Sequence, residues 1–188
     1  MQDTFLYIKK VYIIIMRKYL YLLILLIIIN SNYGFSKLEL EEENFLKKIE
    51  SSSPLTKQRL ILKKEQLAKI QIPMGHKYKK RIFKYWSSNG QTIWILNSIG
   101  KYKPITAAFI VQSCKIKSAH VLIYREQHGY EIKYSAFLAQ FSQIGINNDS
   151  KLDKNIDNIS GATLSVNSMD RMARTALILD SISNDNKC

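Results

Sequence analysis

The chain has 188 residues, of which 28 are Lys or Arg and 15 are Asp or Glu, so its formal net charge is +13. This length fits one domain with or without short additions, and a hydrophobic content of 46% excludes a disordered chain. Two cysteines exclude a disulfide framework and a Cys₄ zinc site. The sequence contains no GxxxxGK[ST] or GxGxxG run, which argues against a P-loop or Rossmann nucleotide site.

The N-terminus carries two apolar runs that are separated by Arg17 and Lys18. The second run, Tyr19 to Ile29, would form a helix of about 16 Å, roughly half the thickness of a membrane's hydrocarbon core. A short apolar run between basic residues and small polar ones is typical of a secretory signal peptide. Residues 1–36 are therefore predicted to be a signal peptide, with an uncleaved membrane anchor as the alternative, and Met16 is a candidate true start. The expected location is periplasmic or otherwise extracytoplasmic.

Residues 37–75 are predicted to form an N-terminal helical segment. A first helix over 38–50 has acidic residues early and basic residues late, which suits the helix dipole. A second helix is predicted over 56–71, with Thr56 as its N-cap and Gly75 beyond its end.

From residue 82 onward the apolar pattern becomes short and β-rich, which indicates strands. Asn89-Gly90 is a strong hairpin signal between the first two strands. Helices, then an antiparallel β meander, then helices again indicate an α+β fold. The strands are predicted at Ile82–Trp86, Thr92–Leu96, Ile105–Gln112 and Ser118–Tyr124, a helix at Tyr134–Ile144, a loop at 145–156, and a last helix from Val166 to Ser181 that buries Met169, Met172, Ala173, Ala176 and Leu177.

The segment with the most functional information is DNISGATLS, residues 157–165. Gly161 permits a positive φ and a close backbone approach, and Thr163 and Ser165 place hydroxyls near the start of the last helix. The first backbone N–H groups of a helix lack partners and favour an anionic group. The residues by themselves therefore predict either a phosphate site with an accessible threonine or an ordinary helix cap.

The run DNISGAT, from Asp157 to Thr163, resembles the flavinylation motif of the FMN-binding domain family. That family includes the C subunit of the sodium-pumping NADH:quinone oxidoreductase and the G subunit of the Rnf complex. The resemblance implies that Thr163 holds FMN through a phosphoester, which a separate Mg-dependent flavin transferase makes from FAD. It also implies that the residues from Ser160 to Ala162 shape the turn and that Asp157 is the leading acid. Asn158 departs from the family pattern, which commonly has Gly at this position.

Three upstream runs resemble the same family and occur in the family's order. They are GKYKPIT at 100–106, YREQHGYEI at 124–132, and an F..QF pattern formed by Phe137 and Gln140-Phe141. With the DNISGAT run they cover about residues 80–180. Residues 76–188 are accordingly predicted to be the FMN-binding domain, with its last helix following the SGAT turn.

The predicted site consists of cofactor-binding residues, without catalytic residues or a metal. Tyr130 and Glu131 are included because they adjoin Gly129 in a family-like turn, and Glu131 suits either a ribityl hydroxyl or a surface salt bridge. No HxxxH or HxH spacing supports a metal site. The predicted cofactor contacts are Asp157, Ser160, Gly161, Ala162, Thr163, Leu164, Ser165, Tyr130 and Glu131. Further aromatic candidates for a flavin slot, with core packing as the alternative, are Tyr85, Trp86, Tyr102, Tyr134 and Phe137.

The predicted function is that of an exported protein with one covalent FMN that relays electrons between membrane-associated redox partners. The flavin supplies the redox chemistry and the protein supplies the tether and the electrostatics, so an electron-transfer flavoprotein is favoured over an autonomous enzyme. The alternatives are a non-redox module that binds a membrane surface or a protein, and a flavin-dependent reductase of a small molecule. The basic run Lys77–Lys84 is interpreted as a solvated face or as a contact for anionic lipid or an acidic partner. Nucleic-acid binding is not expected, and whether Cys114 pairs with Cys188 is left open.

Overall fold

A computed structural model of the chain describes residues 12, 15–22, 25, 37–75 and 81–185. The chain divides into two compact units, Met1–Glu41 and Glu42–Cys188. In the first unit every described residue is helical. Within the described ranges, none of the helices has the length and apolar character needed to cross a membrane. Much of the predicted signal peptide, most of the basic run and Cys188 lie outside the described residues.

The second unit is built on a five-stranded antiparallel sheet in which the strand order follows the chain order. The Asn89-Gly90 turn joins the second and third strands, and both residues have a positive φ, 46° and 73°. This conformation is the one that a two-residue hairpin of the primed type requires, so the predicted hairpin is confirmed. The strands are β1 Thr56–Ile61, β2 Ile82–Ser88, β3 Gln91–Ile99, β4 Pro104–Gln112 and β5 Lys115–Ile123.

Helices precede and follow this sheet, which confirms the α+β fold. The helix labelled α1 covers residues 37–50, which agrees with the helix predicted over 38–50. Residues 145–156 form a connection without helix or strand apart from an isolated bridge between Ile146 and Leu152. The other helices are α2 Lys64–Met74, a 3₁₀ turn at Tyr130–Lys133, α3 Ser135–Ala139 and α4 Thr163–Ser183.

The helix predicted over residues 56–71 is wrong in its first half. Thr56–Ile61 is the edge strand β1, which pairs with β2, and α2 begins only at Lys64. Thr56 is therefore not an N-cap. Residues in β1 alternate between exposed and half-buried at their last four positions, and their backbone groups find partners in β2. Tertiary pairing overrides the local helix preference here.

The helix predicted over Tyr134–Ile144 is shorter than expected. Only Ser135–Ala139 is α-helical, and turns follow it. Ile116 of β5 donates its N–H to the carbonyl of Ile144 at 2.8 Å, and Gln143 adopts a positive φ of 61°. The end of this segment is therefore held by the sheet, which prevents the helix from continuing.

The last helix begins three residues earlier than predicted. α4 starts at Thr163, because the carbonyl of Ala162 already accepts hydrogen bonds from the N–H groups of Ser165 and Val166. Its apolar face, predicted from the 3.6-residue period, is buried as expected at Met169, Met172, Ala173, Ala176 and Leu177. α4 packs against β3, β4 and α2, and this packing fixes the position of its first turn.

Candidate functional site

A pocket of about 760 Å³ lies where three connections of the second unit meet. These are the turn between β3 and β4, the segment after β5, and the turn before α4. The volume is in the range of small-molecule and cofactor sites. The pocket is lined by Lys101, Tyr102, Lys103, Glu126, Gln127, His128, Gly129, Glu131 and the residues from Ser160 to Ser165.

The turn before α4 depends on the backbone conformation of Gly161. Its φ is +78°, and a Cβ at this position would meet no atom within 4 Å. Glycine is therefore required by the left-handed conformation and not by lack of space. The N–H of Ala162 donates to the carbonyl of Ile159 at 2.9 Å, which closes the turn. Thr163 follows, exposed, as the first residue of α4.

Gly129 brings the segment after β5 against this turn. Its φ is +83°, and a Cβ at Gly129 would lie 2.7 Å from the Cβ of Ala162 and 2.9 Å from the hydroxyl of Tyr124. Because real Cβ atoms do not approach so closely, both a glycine at 129 and a small residue at 162 are needed for this contact. Two of the family-like runs thus pack directly on each other.

Tyr124 links the same two segments by hydrogen bonds. Its hydroxyl donates to the carbonyl of His128 and lies 3.1 Å from Oγ of Ser165. Burial, together with the nearby charges of Glu126 and Glu131, raises the pKa of the Tyr124 hydroxyl. The phenol therefore stays protonated and acts as a donor. Ser165 is buried and lines the pocket, where its hydroxyl contacts that of Tyr124.

The opposite wall is the turn at residues 100–103, which Glu126 holds in place. Oε1 of Glu126 accepts hydrogen bonds from the N–H groups of Tyr102 and Lys103, at 2.7 and 2.9 Å. Desolvation opposes ionisation, but these backbone donors lower the pKa of Glu126. A Cβ at Gly100 would lie 2.8 Å from the same oxygen. Glu126 is thus an ionised anchor of the wall.

Two side-chain amides fix the start of the DNISGAT run. Oε1 of Gln140 accepts from the N–H of Asp157 at 2.7 Å. Nδ2 of Asn158 donates to Oγ1 of Thr163 at 2.8 Å. Asn158 does not adopt a positive φ, so its replacement of the usual glycine causes no left-handed strain.

Residues 100–178 match the family model of the FMN-binding domain. These residues belong to the FMN-binding domain family. The matched stretch contains every residue that lines the pocket, and the chain is accordingly a flavin-binding protein. A comparison with curated proteins finds no match to the chain.

The structure of the FMN-binding domain brings most of the predicted site residues together. All residues from Ser160 to Ser165 line one pocket with Glu131. Leu164 is 47% exposed there and offers apolar surface. Asp157 precedes the pocket and is held by Gln140. Tyr130 stands beside the pocket, where its ring packs edge-to-face on that of Tyr124 with centroids 6.0 Å apart.

Of the five further aromatic candidates for a flavin slot, Trp86 lies on β2 outside the pocket lining, and the other four separate into two groups. Tyr102 lines the pocket of the FMN-binding domain and is 76% exposed. Tyr134 is also exposed and packs edge-to-face on Tyr130. By contrast, Tyr85 stacks on buried Trp94, and Phe137 is buried against Phe141. Core packing explains these last two side chains.

The sequence assigns no structural role to three side chains that hold the FMN-binding domain's pocket together. Glu126 and Gln140 lie within family-like runs, and Asn158 replaces the usual glycine. Their hydrogen bonds connect residues 17 to 24 positions apart or depend on a specific rotamer. The one available signal was a carboxylate or amide beside a turn, where such groups commonly bind backbone N–H groups.

In the part of the chain that the structure describes, no group of three or more His, Cys, Asp or Glu side chains is placed to hold a metal ion. His128 lines the pocket without such a group around it.

Proposed function

We propose that this protein holds FMN in the pocket between the 100–103 turn and the start of α4, joined by a phosphoester to Thr163, and relays electrons between redox partners outside the cytoplasm. The observation that carries the proposal is the position of Thr163. Its exposed hydroxyl stands on the first turn of a helix, in a pocket formed entirely by residues of the FMN-binding domain match.

The charges around Thr163 suit a phosphate. The first turn of a helix directs backbone N–H groups and the positive end of the dipole toward an anion. Lys101 and Lys103 line the same pocket and add positive charge. Glu126 contributes less repulsion than an open carboxylate because its Oε1 is bound by backbone N–H groups.

The apolar surface of the pocket suits the flavin ring. Tyr102 and Leu164 both line it and are substantially exposed, at 76% and 47%. Gly129 and Ala162 lie in close contact on the lining of the same pocket. Bound FMN would supply the electron-transfer chemistry, and this chain's residues bind and orient it.

The Thr163 hydroxyl, which would be the reactive group for attachment, is a weak nucleophile, and in the described part of the chain its one hydrogen bond comes from the Asn158 amide. Oγ1 of Thr163 accepts a hydrogen bond from the Asn158 amide, which is a donor and takes no proton. An alcohol needs an adjacent base to attack phosphorus. We therefore assign the attachment step to a separate flavin transferase that uses FAD, and regard this protein as a carrier and not as an autonomous enzyme.

The proposed location rests on the N-terminal sequence. Arg17 and Lys18 precede an apolar run of signal-peptide length. Export would place the flavin on the extracytoplasmic side, where the partners would be a membrane redox complex or another electron-transfer protein. A covalent tether prevents loss of the cofactor in a compartment with little free flavin.

The intact mass of the protein purified from its own host, followed by peptide mapping, tests this proposal. We expect a mass gain equal to FMN minus one water, located on the peptide that contains Thr163. An unmodified mass from a host that has the transferase would reject covalent attachment and favour the binding-module alternative. The same spectra report the N-terminal residue and so test cleavage of the signal peptide.

A further inference from the structure

We propose that Asn158 is a positioning residue that prepares the Thr163 hydroxyl for flavin attachment. This inference rests on the proposed function. It starts from one contact: Nδ2 of Asn158 donates a hydrogen bond to Oγ1 of Thr163 at 2.8 Å, across the SGAT turn. Asn158 is the residue at which the motif departs from its usual glycine, so the contact comes from a side chain that a glycine lacks.

The orientation of the Asn158 amide is fixed by a second hydrogen bond. Its Oδ1 accepts from the N–H of Ile159 at 3.0 Å. Because a backbone N–H binds only an acceptor, the amide oxygen must face Ile159 and the amide nitrogen must face Thr163. The side chain is therefore held at both ends, and it presents a donor and not an acceptor to the hydroxyl.

This arrangement assigns the lone pairs and the proton of Thr163. A hydroxyl oxygen has two lone pairs and one proton. The amide of Asn158 takes one lone pair, so the proton is directed away from Asn158. The second lone pair remains available to attack phosphorus.

In the attachment step, the bond from Oγ1 of Thr163 to the FMN phosphorus of FAD forms and the phosphoanhydride bond to AMP breaks. AMP leaves with the electron pair, and the hydroxyl proton passes to a base of the flavin transferase. Negative charge builds on Oγ1 as the proton departs. A pre-oriented N–H donor beside that oxygen stabilises this charge without reorganisation.

The experiment measures flavin transfer to the full chain by a purified flavin transferase with Mg²⁺ and saturating FAD, while the concentration of the chain is varied. The variants are Asn158→Ala and Asn158→Leu, which remove the donor with and without loss of side-chain volume. Asn155→Ala is the matched control, because Asn155 lies on the same connection but lines the neighbouring pocket beside α4. Thermal unfolding verifies that all variants fold.

We expect the kcat of flavin transfer to fall at least about tenfold in both Asn158 variants. The KM for the acceptor chain and the melting temperature should stay unchanged. The Asn155→Ala chain keeps both constants. Wild-type kcat in the Asn158 variants would overturn the inference, and so would a raised KM with normal kcat, since that pattern marks recognition by the transferase. A wild-type chain that takes no flavin would reject the proposed function itself, and this inference with it.

Discussion

At the scale of single residues, Thr163 has a hydroxyl that contributes little to the fold. It is exposed in the first turn of α4, and its hydroxyl accepts from the equally exposed Asn158. Replacing Thr163 by Ala should therefore abolish covalent flavin and change the free energy of unfolding by no more than about 0.5 kcal/mol. Flavin fluorescence of the denatured protein and urea unfolding measure the two effects. Flavin that stays with the denatured variant would contradict the assignment of Thr163 as the acceptor.

The left-handed conformation of Gly161 shapes the turn that exposes Thr163, the proposed flavin acceptor. A Cβ at this position meets no atom within 4 Å, but a φ of +78° is strongly unfavourable for a β-branched residue such as Val. We expect Gly161→Val to fail in flavin loading, measured as the loaded fraction in the intact mass. Gly161→Asn is the matched control, because Asn tolerates the left-handed region better, and it should retain more loading. Equal loading of the Val variant and the wild type would show that the turn does not need this conformation.

At the scale of elements, the contact between Gly129 and Ala162 joins the segment after β5 to the start of α4. Gly129→Ala combines a φ of +83° with a contact of 2.7 Å, whereas Gly75→Ala combines a φ of +69° with open space. Both variants place an alanine in the left-handed region, but only Gly129→Ala also overlaps with the Cβ of Ala162. We expect Gly129→Ala to lower the free energy of unfolding by about 1–3 kcal/mol more than Gly75→Ala does.

Urea unfolding of the two glycine variants gives this difference directly, and flavin loading reports the pocket. Gly75 ends α2, far along the chain from the pocket lining, so its variant should load normally. Equal destabilisation by both substitutions would mean that the turn and the helix move apart easily, and that the contact does not define the pocket.

The elements also differ in how well local sequence predicts them. The Asn89-Gly90 hairpin and the buried face of α4 follow from local chemistry and periodicity, and both are confirmed. The helix prediction over β1 is wrong because the spacing of Leu60 from the other apolar residues is compatible with both a helix and a strand. Its partner β2 lies beyond an intervening helix in the sequence, and no local pattern records that pairing.

At the scale of the whole molecule, His120 makes stability depend on pH. It is half-buried on β5, its ring centroid lies 5.1 Å from that of Phe45, and Nε2 lies 3.0 Å from Oγ of Ser118. Burial first, and then the positive charge of Lys48, lower the pKa of His120. The folded state thus binds this proton less well than the unfolded state does.

The sign of the pH effect follows from this difference. A lowered pKa means that the stabilisation is fully present above the ordinary His pKa, about 6.5, and is lost as the pH falls through the lowered value. We expect urea unfolding of the wild type to show falling stability from pH 6.5 toward pH 5, with a smaller fall in His120→Gln. Parallel curves for the two proteins would exclude His120 as the source.

The sequence by itself determined the strand runs from residue 82 onward, the buried face of the last helix, and the turn that carries Thr163. These features depend on nearest neighbours: glycine for a left-handed residue, Asn-Gly for a tight hairpin, and a 3.6-residue period for a buried helix face. Such chemistry is local, and residues a few positions apart are sufficient to specify it.

Only the tertiary structure decided which distant residues complete the pocket. Glu126 binds the 100–103 turn from 23 residues away in the sequence. The absence of a Cβ at Gly129 allows the close contact with Ala162, which is further away in the sequence. The hydrogen bond from Asn158 to Thr163 is short in sequence, but it depends on the turn at Gly161 that brings the two side chains together. These contacts exist because the packing of α4 on β3 and β4 places its first turn beside the loops of the sheet, and packing between distant segments leaves no periodic trace in the chain.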